Sequence, residues 1–249
     1  MLTVIGSPVS PYVRKILAIL SIKGLDFEID PVVAFYTDDR FTRLNPLRRI
    51  PLLIDGGEPI ADSSVIAQYL EEKYPGPAVL PSAPAQRARA RWLEEYADTR
   101  MGDIFLWRVF SQAVLLPGVF NRERDLAALK KSLAEDVPPI LDYLETIAPP
   151  VGFMFGAIGL VDISVCVMFR NMSYARWTPD PVRWPKTACW IASTEAHPSL
   201  LQINEWADAL IRVPVLEQRA RLKDLGGRVT AETFLVDQPP RRGPMTQFA

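Results

Sequence analysis

The period of the hydrophobic positions changes along the chain and divides it into two parts. In the first part, short apolar runs alternate with apolar stripes at helical spacing, such as Val13, Ile16, Leu17 and Leu20. These patterns predict strands and helices in the order βαβ-α-ββα. The predicted elements are residues 2–5, 11–22, 27–33, 38–44, 52–54, 59–61 and 62–73.

The second part carries apolar stripes of helical period along nearly its whole length. Four prolines within residues 75–84 separate the two parts, which is typical of a semi-rigid linker. We therefore predict an α/β domain over residues 1–76 and an all-helical domain over residues 86–225. Periodicity is then lost, and residues 226–249 are interpreted as a poorly ordered or docked tail. The predicted helices of the second domain are residues 85–114, 122–147, 160–172 and 199–211.

One apolar stretch has nearly the length of a membrane span. Residues 151–169 are mostly apolar, but Asp162 lies near their centre. A carboxylate is costly in lipid, whereas a helix buried in protein tolerates one that is hydrogen-bonded at its first turn. We therefore interpret the stretch as a buried helix and expect no membrane association. No secretory signal is expected either, since no basic segment precedes the apolar residues 2–5.

Composition and charge exclude several classes of function. The 249 residues are 49% hydrophobic and 23% charged, which is typical of a globular protein and not of a disordered chain. The formal net charge of −1 gives no field that would attract nucleic acid. Cys166, Cys189 and His197 are too few for a disulfide framework or a four-cysteine zinc site. The composition favours a metal-free cytoplasmic protein.

The first strand-to-helix turn, residues 6–12, is the main candidate for chemistry. The sequence contains no P-loop, G-x-S-x-G elbow or H-E-x-x-H motif. Pro11 suits the first helical position and Ser10 suits the N-cap. Ser7 has no such structural role, and it lies where free N–H groups and the helix dipole favour an anion such as a thiolate. On this motif alone, an ordinary turn residue is the simpler interpretation of Ser7.

Taken with two later segments, this turn resembles the active-site turn of glutathione transferases, particularly a bacterial member of the serine-type tau and zeta branches. The resemblance runs from about residue 1 to residue 215. It is carried by SPVSPYVRK, by LNPLRRIPLL and by ADSSVIAQYLEEKYP. It implies a thioredoxin-like domain followed by an all-helical domain, glutathione as co-substrate and a homodimer.

The resemblance also implies roles for individual residues in the first two segments. Ser7 matches the serine that contacts the glutathione sulfur, with Ser10 as the N-cap and the alternative donor. The Ile50–Pro51 bond matches a cis bond beside which the backbone pairs with the cysteinyl unit of glutathione. Arg49 lies near the position that meets the glycyl carboxylate.

The remaining candidate residues concern the two ends of the pocket. Asp62 and Ser63 match the pair that binds the γ-glutamyl end, although N-capping alone would also explain them. A carboxylate beside a hydroxyl and a helix N-terminus complements both charges of a γ-glutamyl group. Tyr12 is expected to flank the pocket. The second substrate is expected to meet an aromatic helix surface, for which a place in the core is the alternative, together with one cation: Phe105, Trp107, Phe110 and Arg108.

In the second domain, GAIGLVDISV resembles the helix-opening box of the family. Gly159 stands where serine or threonine is usual, and Asp162 is expected to accept a hydrogen bond from the N–H of residue 159. This box concerns stability and not catalysis. Residues 177–197 and the tail after residue 219 exceed the common pattern and could reshape the pocket for the second substrate.

The resulting hypothesis is a cytoplasmic glutathione transferase that activates glutathione as a thiolate for attack on an apolar or aromatic electrophile, in a detoxification role. A glutathione-dependent isomerase or lyase would use the same thiolate and remains an alternative. A non-catalytic glutathione-binding or scaffold protein of the same fold is a second alternative. Serines in place of cysteine in the turn argue against disulfide reduction by a protein thiol.

Overall fold

The computed structural model describes residues 1–244, which form two compact units. The first unit contains residues 1–78 together with residues 198–244, and the second contains residues 79–197. Within the described residues, we find no helix with the length and apolar character that crossing a membrane requires.

The amino-terminal part of the first unit has the predicted order of strands and helices. Its elements are β1 (Leu2–Ile5), α1 (Pro11–Ile22), β2 (Phe27–Asp30), α2 (Asp39–Leu44), β3 (Leu52–Asp55), β4 (Glu58–Ala61) and α3 (Ser63–Lys73).

These strands form one mixed sheet in the order β2-β1-β3-β4. β1 is parallel to β2 and antiparallel to β3, and β3 and β4 form the predicted hairpin. Gly56 and Gly57 make the hairpin turn with positive φ angles, which glycine adopts without steric cost. α1 is buried along almost its entire length and packs against α3.

The second unit is built from helices. Its elements are α4 (Pro84–Tyr96, Ala97–Leu115 and Leu116–Gly118), α5 (Leu126–Lys131, Ser132–Asp136 and Val137–Ile147), α6 (Leu160–Tyr174) and α7 (Pro185–Glu195). In α4 and α5 the middle segment of the continuous helix has π-helical winding.

Three of the predicted helices of this unit correspond to α4, α5 and α6, but the helix α7 was not predicted. The backbone N–H groups of Lys186 and Thr187 at its start donate to the carboxylate of Glu145, at 3.0 and 2.9 Å. The indole of Trp190 in α7 donates to Asp162 at 2.6 Å. These partners belong to other helices and lie up to about forty residues away in sequence. The sequence of α7 itself therefore gives little indication that it forms a helix.

The predicted box at the start of α6 is present. The N–H of Gly159 donates to the carboxylate of Asp162 at 2.9 Å, and the N–H of Met154 donates to the same side chain at 2.8 Å. Burial raises the pKa of Asp162, while these hydrogen bonds and the one from Trp190 oppose the rise. The buried carboxylate is therefore stabilised by fixed donors. Of the apolar stretch 151–169, only the part from residue 160 onward is a buried helix, so the interpretation of the whole stretch as a helix was wrong for residues 151–159, which are non-helical and mostly partly exposed.

The first unit is completed by α8 (Pro198–Leu210) and α9 (Gln218–Asp224). The sequence analysis placed residues 198–225 in the helical domain, whereas in the structure α8 packs on α1 and α9 packs on α8. The first predicted boundary, after residue 76, lies close to the observed division after residue 78. The difference arises because a helical pattern does not reveal which surface a helix covers.

The described part of the tail is docked and ordered against the first unit. The N–H of Ile29 in β2 donates to the carbonyl of Arg228 at 2.8 Å, and the N–H of Thr230 donates to the carbonyl of Ile29 at 3.1 Å. Phe234 then packs edge-on against Phe41, with ring centres 6.0 Å apart. The tail thereby pairs with β2, the outer strand of the sheet. Residues 245–249 of the predicted tail lie outside the described residues.

Candidate functional site

Three loop segments meet at one end of the sheet. In the strand register, Ile5 pairs with Leu52, and Leu52 pairs with Ala61. The turn after β1, the segment before β3 and the segment after β4 therefore leave the sheet side by side. These are the three segments that the sequence singled out, and the fold brings them together.

The backbone of the turn after β1 is held by its neighbours. The N–H of Gly6 donates to the carbonyl of Asp30 at 2.8 Å, and the N–H of Ser7 donates to the carbonyl of Val32 at 2.7 Å. On the other side, the buried guanidinium of Arg14 donates to the carbonyls of Pro8 and Val9, at 2.8 and 2.9 Å. These bonds fix the turn in front of the N-terminus of α1.

Ser7 is buried and its hydroxyl is already engaged. The side chain is 1% exposed, and its hydroxyl donates to Oε1 of Gln218 in α9 at 2.9 Å. The N–H of Val9 lies 3.4 Å from the same hydroxyl oxygen and donates to it. A hydroxyl has one proton, so Ser7 has no second strong hydrogen bond to donate.

Ser10 occupies the predicted N-cap position of α1, but its side chain makes no capping hydrogen bond. The expectation that its hydroxyl caps the helix was therefore wrong. Ser10 is partly exposed, and its N–H donates to the carbonyl of Ser7 at 3.0 Å. Its hydroxyl stands at the positive end of the helix dipole, where a donor can meet an anion. Tyr12, also partly exposed, lies two residues further along the chain, with Lys15 Nζ 6.0 Å from its ring centre.

The Ile50–Pro51 bond is cis, as the resemblance implied. Ile50 lies against the first turn, because a Cβ atom on Gly6 would be 3.0 Å from the Cβ of Ile50. Arg49 is exposed, and its carbonyl accepts a hydrogen bond from Asn45 at 2.8 Å. Its neighbour Arg48 is buried instead.

Arg48 has a structural role that the sequence analysis did not assign. Its guanidinium donates to the carbonyl and the hydroxyl of Thr37, both at 2.9 Å, and to the hydroxyl of Thr42. Burial lowers the pKa of Arg48, and the nearby Arg241 lowers it further. Of the two adjacent arginines, only Arg49 therefore presents its side chain to solvent.

Asp62 and Ser63 lie where β4 gives way to α3. Asp62 is the N-cap, and its carboxylate accepts a hydrogen bond from the N–H of Ser64 at 2.9 Å, so the capping interpretation is confirmed. Its φ angle of 78° is unusual for a residue other than glycine. Such strained positions cluster at binding sites, which favours a functional use of Asp62 beyond capping. Ser63 is 5% exposed.

Trp107 and Arg108 belong to α4 in the second unit. Both are partly exposed, whereas Phe105 and Phe110 are buried in the core, so the expectation that these two phenylalanines meet a substrate was wrong. The guanidinium of Arg108 lies 2.9 Å from a carboxylate oxygen of Asp103 and 3.4 Å from one of Asp136. Two carboxylates therefore already balance its charge, which weakens it as a contact for an anionic substrate.

Histidine and cysteine side chains, which could support metal or thiol chemistry, are few. Within residues 1–244 there is no cluster of histidine, cysteine and carboxylate side chains that could hold a metal ion. His197 stacks edge-on against Phe153 at 5.8 Å, and burial lowers its pKa. Cys166 is buried and Cys189 is exposed.

The sequence analysis missed the residues that support the turn from outside it. Gln218 accepts the hydrogen bond from the Ser7 hydroxyl. Asp30 supports the turn through its carbonyl, and its carboxylate accepts a hydrogen bond from Arg219 at 3.0 Å. The apolar pattern of the chain gives no signal for these contacts, since they join residues about two hundred positions apart. The buried Arg14 could have been suspected, because it interrupts an otherwise apolar helix face.

Comparison with known proteins gives consistent results. Residues 4–78 match the family model described as Glutathione S-transferase, N-terminal domain. YibF of Escherichia coli K12, an uncharacterized GST-like protein, is 30% identical over 176 residues, which cover 70% of this chain and 84% of YibF. The probable glutathione S-transferase GSTU6 of rice is 27% identical over 208 residues, covering 76% of this chain and 82% of that protein.

A solved structure extends the likeness to the fold. The glutathione S-transferase of Methylobacterium radiotolerans, in complex with glutathione sulfonate, superimposes with a TM-score of 0.67 and 26% identity. The match covers 80% of this chain and 92% of that one. The fold is therefore a thioredoxin-like domain joined to a helical domain, as predicted. The chain belongs to the glutathione transferase superfamily.

Proposed function

We propose that the protein is a glutathione transferase that binds glutathione across the end of the sheet. The observation that carries this proposal is the register of Ile5, Leu52 and Ala61, which brings the three loop segments side by side. Two strand spacings span about 10 Å. An extended tripeptide spans at most about 10 Å, so one glutathione molecule can contact all three segments.

The sulfur of glutathione lies at the N-terminus of α1 in this proposal, and Ser10 donates a hydrogen bond to it. Ser7 was the first choice in the sequence analysis, but its hydroxyl is committed to Gln218. Ser10 is partly exposed and has no capping bond. A hydrogen bond to the charged form, together with the helix dipole, lowers the pKa of a thiol from its ordinary value of about 8.5. The thiol then loses its proton to water near neutral pH. The thiolate forms a carbon–sulfur bond with the electrophile, from which a leaving group departs with its bonding electrons or in which a double bond takes up the electron pair.

The two ends of glutathione are assigned to the other segments. Asp62 accepts a hydrogen bond from the γ-glutamyl ammonium, and the N-terminus of α3 with Ser63 binds its carboxylate. The backbone at Ile50 pairs with the cysteinyl unit. Arg49, which is exposed, binds the glycyl carboxylate.

For the second substrate we propose a neutral apolar or aromatic electrophile. Trp107 supplies an aromatic surface, while Arg108 is balanced by two carboxylates and offers little to an anion. The family resemblance is also the reason to propose a cytoplasmic homodimer with a detoxification role. Sedimentation analysis of the purified protein would test the dimer.

Glutathione-affinity retention combined with a chlorodinitrobenzene conjugation assay tests the activity. Retention with turnover supports a transferase, and retention without turnover favours an isomerase, a lyase or a binding protein. Failure to be retained contradicts the proposal. Ser10→Ala should retain binding while the pKa of the bound thiol rises by about two units, and Ser10→Thr should restore it in part. An unchanged thiol pKa in Ser10→Ala would reject the role of Ser10.

A further inference from the structure

The contact between α9 and the active-site turn has a defined direction. Nε2 of Gln218 donates to the carbonyls of Leu210 and Val213, at 3.2 and 3.4 Å, so the amide nitrogen is turned away from Ser7. Oε1 therefore faces Ser7 and can only accept. With Gln218 5% exposed and Ser7 1% exposed, the hydrogen bond between them is shielded from water. It fixes both the side chain of Ser7 and the position of α9.

The next residue of α9 holds the other support of the turn. Arg219 donates to the carboxylate of Asp30 at 3.0 Å, and Asp30 is 1% exposed. The hydroxyl of Thr233 and the N–H of Phe234 donate to the same carboxylate, at 2.7 and 2.8 Å. The carbonyl of Asp30 accepts the hydrogen bond from the N–H of Gly6. By binding the carboxylate of Asp30, α9 and the tail therefore support the turn.

From these contacts we infer that Gln218 is a positioning residue for the glutathione thiolate. Its amide holds the Ser7 hydroxyl, the carbonyl of Ser7 accepts the N–H of Ser10, and Ser10 stands at the start of α1. If the hydrogen bond from Ser7 to Gln218 is broken, the backbone of this turn can shift. The Ser10 hydroxyl is then no longer oriented to donate to the sulfur. A misplacement of about 1 Å at a reacting group is enough to cost a large part of the effect. The inference rests on the proposed function, because it requires glutathione at the end of the sheet.

The test is the pH titration of the thiolate absorbance of bound glutathione in Gln218→Met. The pKa of the bound thiol should rise by about one unit, a tenfold loss of thiolate at pH values below the pKa. The glutathione dissociation constant should change less than threefold. Arg221→Met, at an exposed position of the same helix, is the matched control and should leave the thiol pKa unchanged.

A double-mutant cycle separates positioning from general loosening. Ser7→Ala should raise the thiol pKa by about the same amount as Gln218→Met, and the double variant should add nothing further, since both changes break one bond. If Ser7 itself touched the sulfur, Gln218→Met would free its hydroxyl and lower the thiol pKa instead. Either that result or an unchanged thiol pKa in a folded Gln218→Met overturns the inference.

Two outcomes keep the inference distinct from the function on which it rests. If the unmodified protein forms no thiolate with bound glutathione, the proposed function fails and the inference fails with it. If the unmodified protein forms the thiolate but the variants do not change it, only the inference fails. Should Gln218→Met not fold, an unchanged thiol pKa in Ser7→Ala still rejects the role of Gln218.

Discussion

Gly159 lies directly against the backbone of Val79: a Cβ atom at position 159 would be 2.8 Å from the Val79 carbonyl oxygen. The N–H of Leu160 donates to the same oxygen at 2.8 Å, which holds the two segments together. This close approach explains why glycine stands at this position. The helix α6 relinquishes a capping hydroxyl and gains a direct backbone contact.

Gly159→Ser should therefore destabilise the protein, although serine is the better N-cap in general. Forcing a side chain into this contact costs about 1–3 kcal/mol, which exceeds the gain of roughly a few tenths of a kcal/mol that serine offers over glycine as an N-cap. The measurement is chemical denaturation of both forms. Gly118→Ala is the control, because nothing lies within 4 Å of a Cβ at that position. Equal or greater stability of Gly159→Ser would show that the Val79 segment yields.

Glu145 should make the stability of the second unit depend on pH. Partial burial raises the pKa of Glu145, but the hydrogen bonds from Thr187 and Lys186 lower it more, so the pKa lies below its ordinary value of 4.5. Because the folded-state pKa is depressed, the contribution is present above pH 4.5 and is lost as pH falls through the folded-state pKa.

Glu145→Gln should consequently lose about 1 kcal/mol at pH 7, since a carboxylate that accepts from a helix N-terminus is replaced by a neutral amide. The unfolding free energies of the two forms should converge in acid. Thermal unfolding at several pH values measures this difference. Glu135→Gln, at an exposed position, should stay within about 0.5 kcal/mol throughout. A constant difference at all pH values would contradict the assignment.

Gly6→Ala should distort the turn after β1. Gly6 has a φ angle of 147°, and an added Cβ would lie 2.5 Å from Cγ2 of Val13, which is a stiff β-branched side chain. We expect a loss of about 3 kcal/mol, from the backbone conformation and the collision together. Gly56→Ala has a positive φ angle of 60° but open space around it, so it should cost about 1 kcal/mol. Urea unfolding distinguishes the two, and equal losses would remove the steric argument.

Arg14→Met should lower the free energy of unfolding and raise the pKa of the bound glutathione thiol. The substitution removes the donor to the carbonyls of Pro8 and Val9 from a site that is 1% exposed. Leaving such groups without their charged donor costs about 3 kcal/mol. Arg43→Met, at an exposed position of α2, is the control and should be close to neutral. A bound thiol with an unchanged pKa in Arg14→Met would show that the turn keeps its shape without Arg14.

The sequence could predict what depends on local chemistry. The bounds of α1 follow from Pro11 and from the apolar residues that repeat behind it, and the hairpin follows from Gly56 and Gly57. The three site segments were recognisable because each lies beside a strand end. The engagement of the Ser7 hydroxyl by Gln218 was not recognisable, since it depends on a helix far away in sequence. The helix α7 was missed for the same reason, because Glu145 and Asp162 supply the bonds that hold it.

The docking of α9 and the tail has a consequence for how the chain acquires its structure during synthesis. The unit that begins at residue 1 cannot bury Ser7 or Asp30 until residues 218–234 have emerged from the ribosome, and Ser7 and Gln218 are 211 positions apart. Contacts of such high sequence separation form slowly. A nascent chain therefore carries the outer edge of β2 without its tail segment throughout most of translation, and an unpaired strand edge of this kind is prone to aggregation.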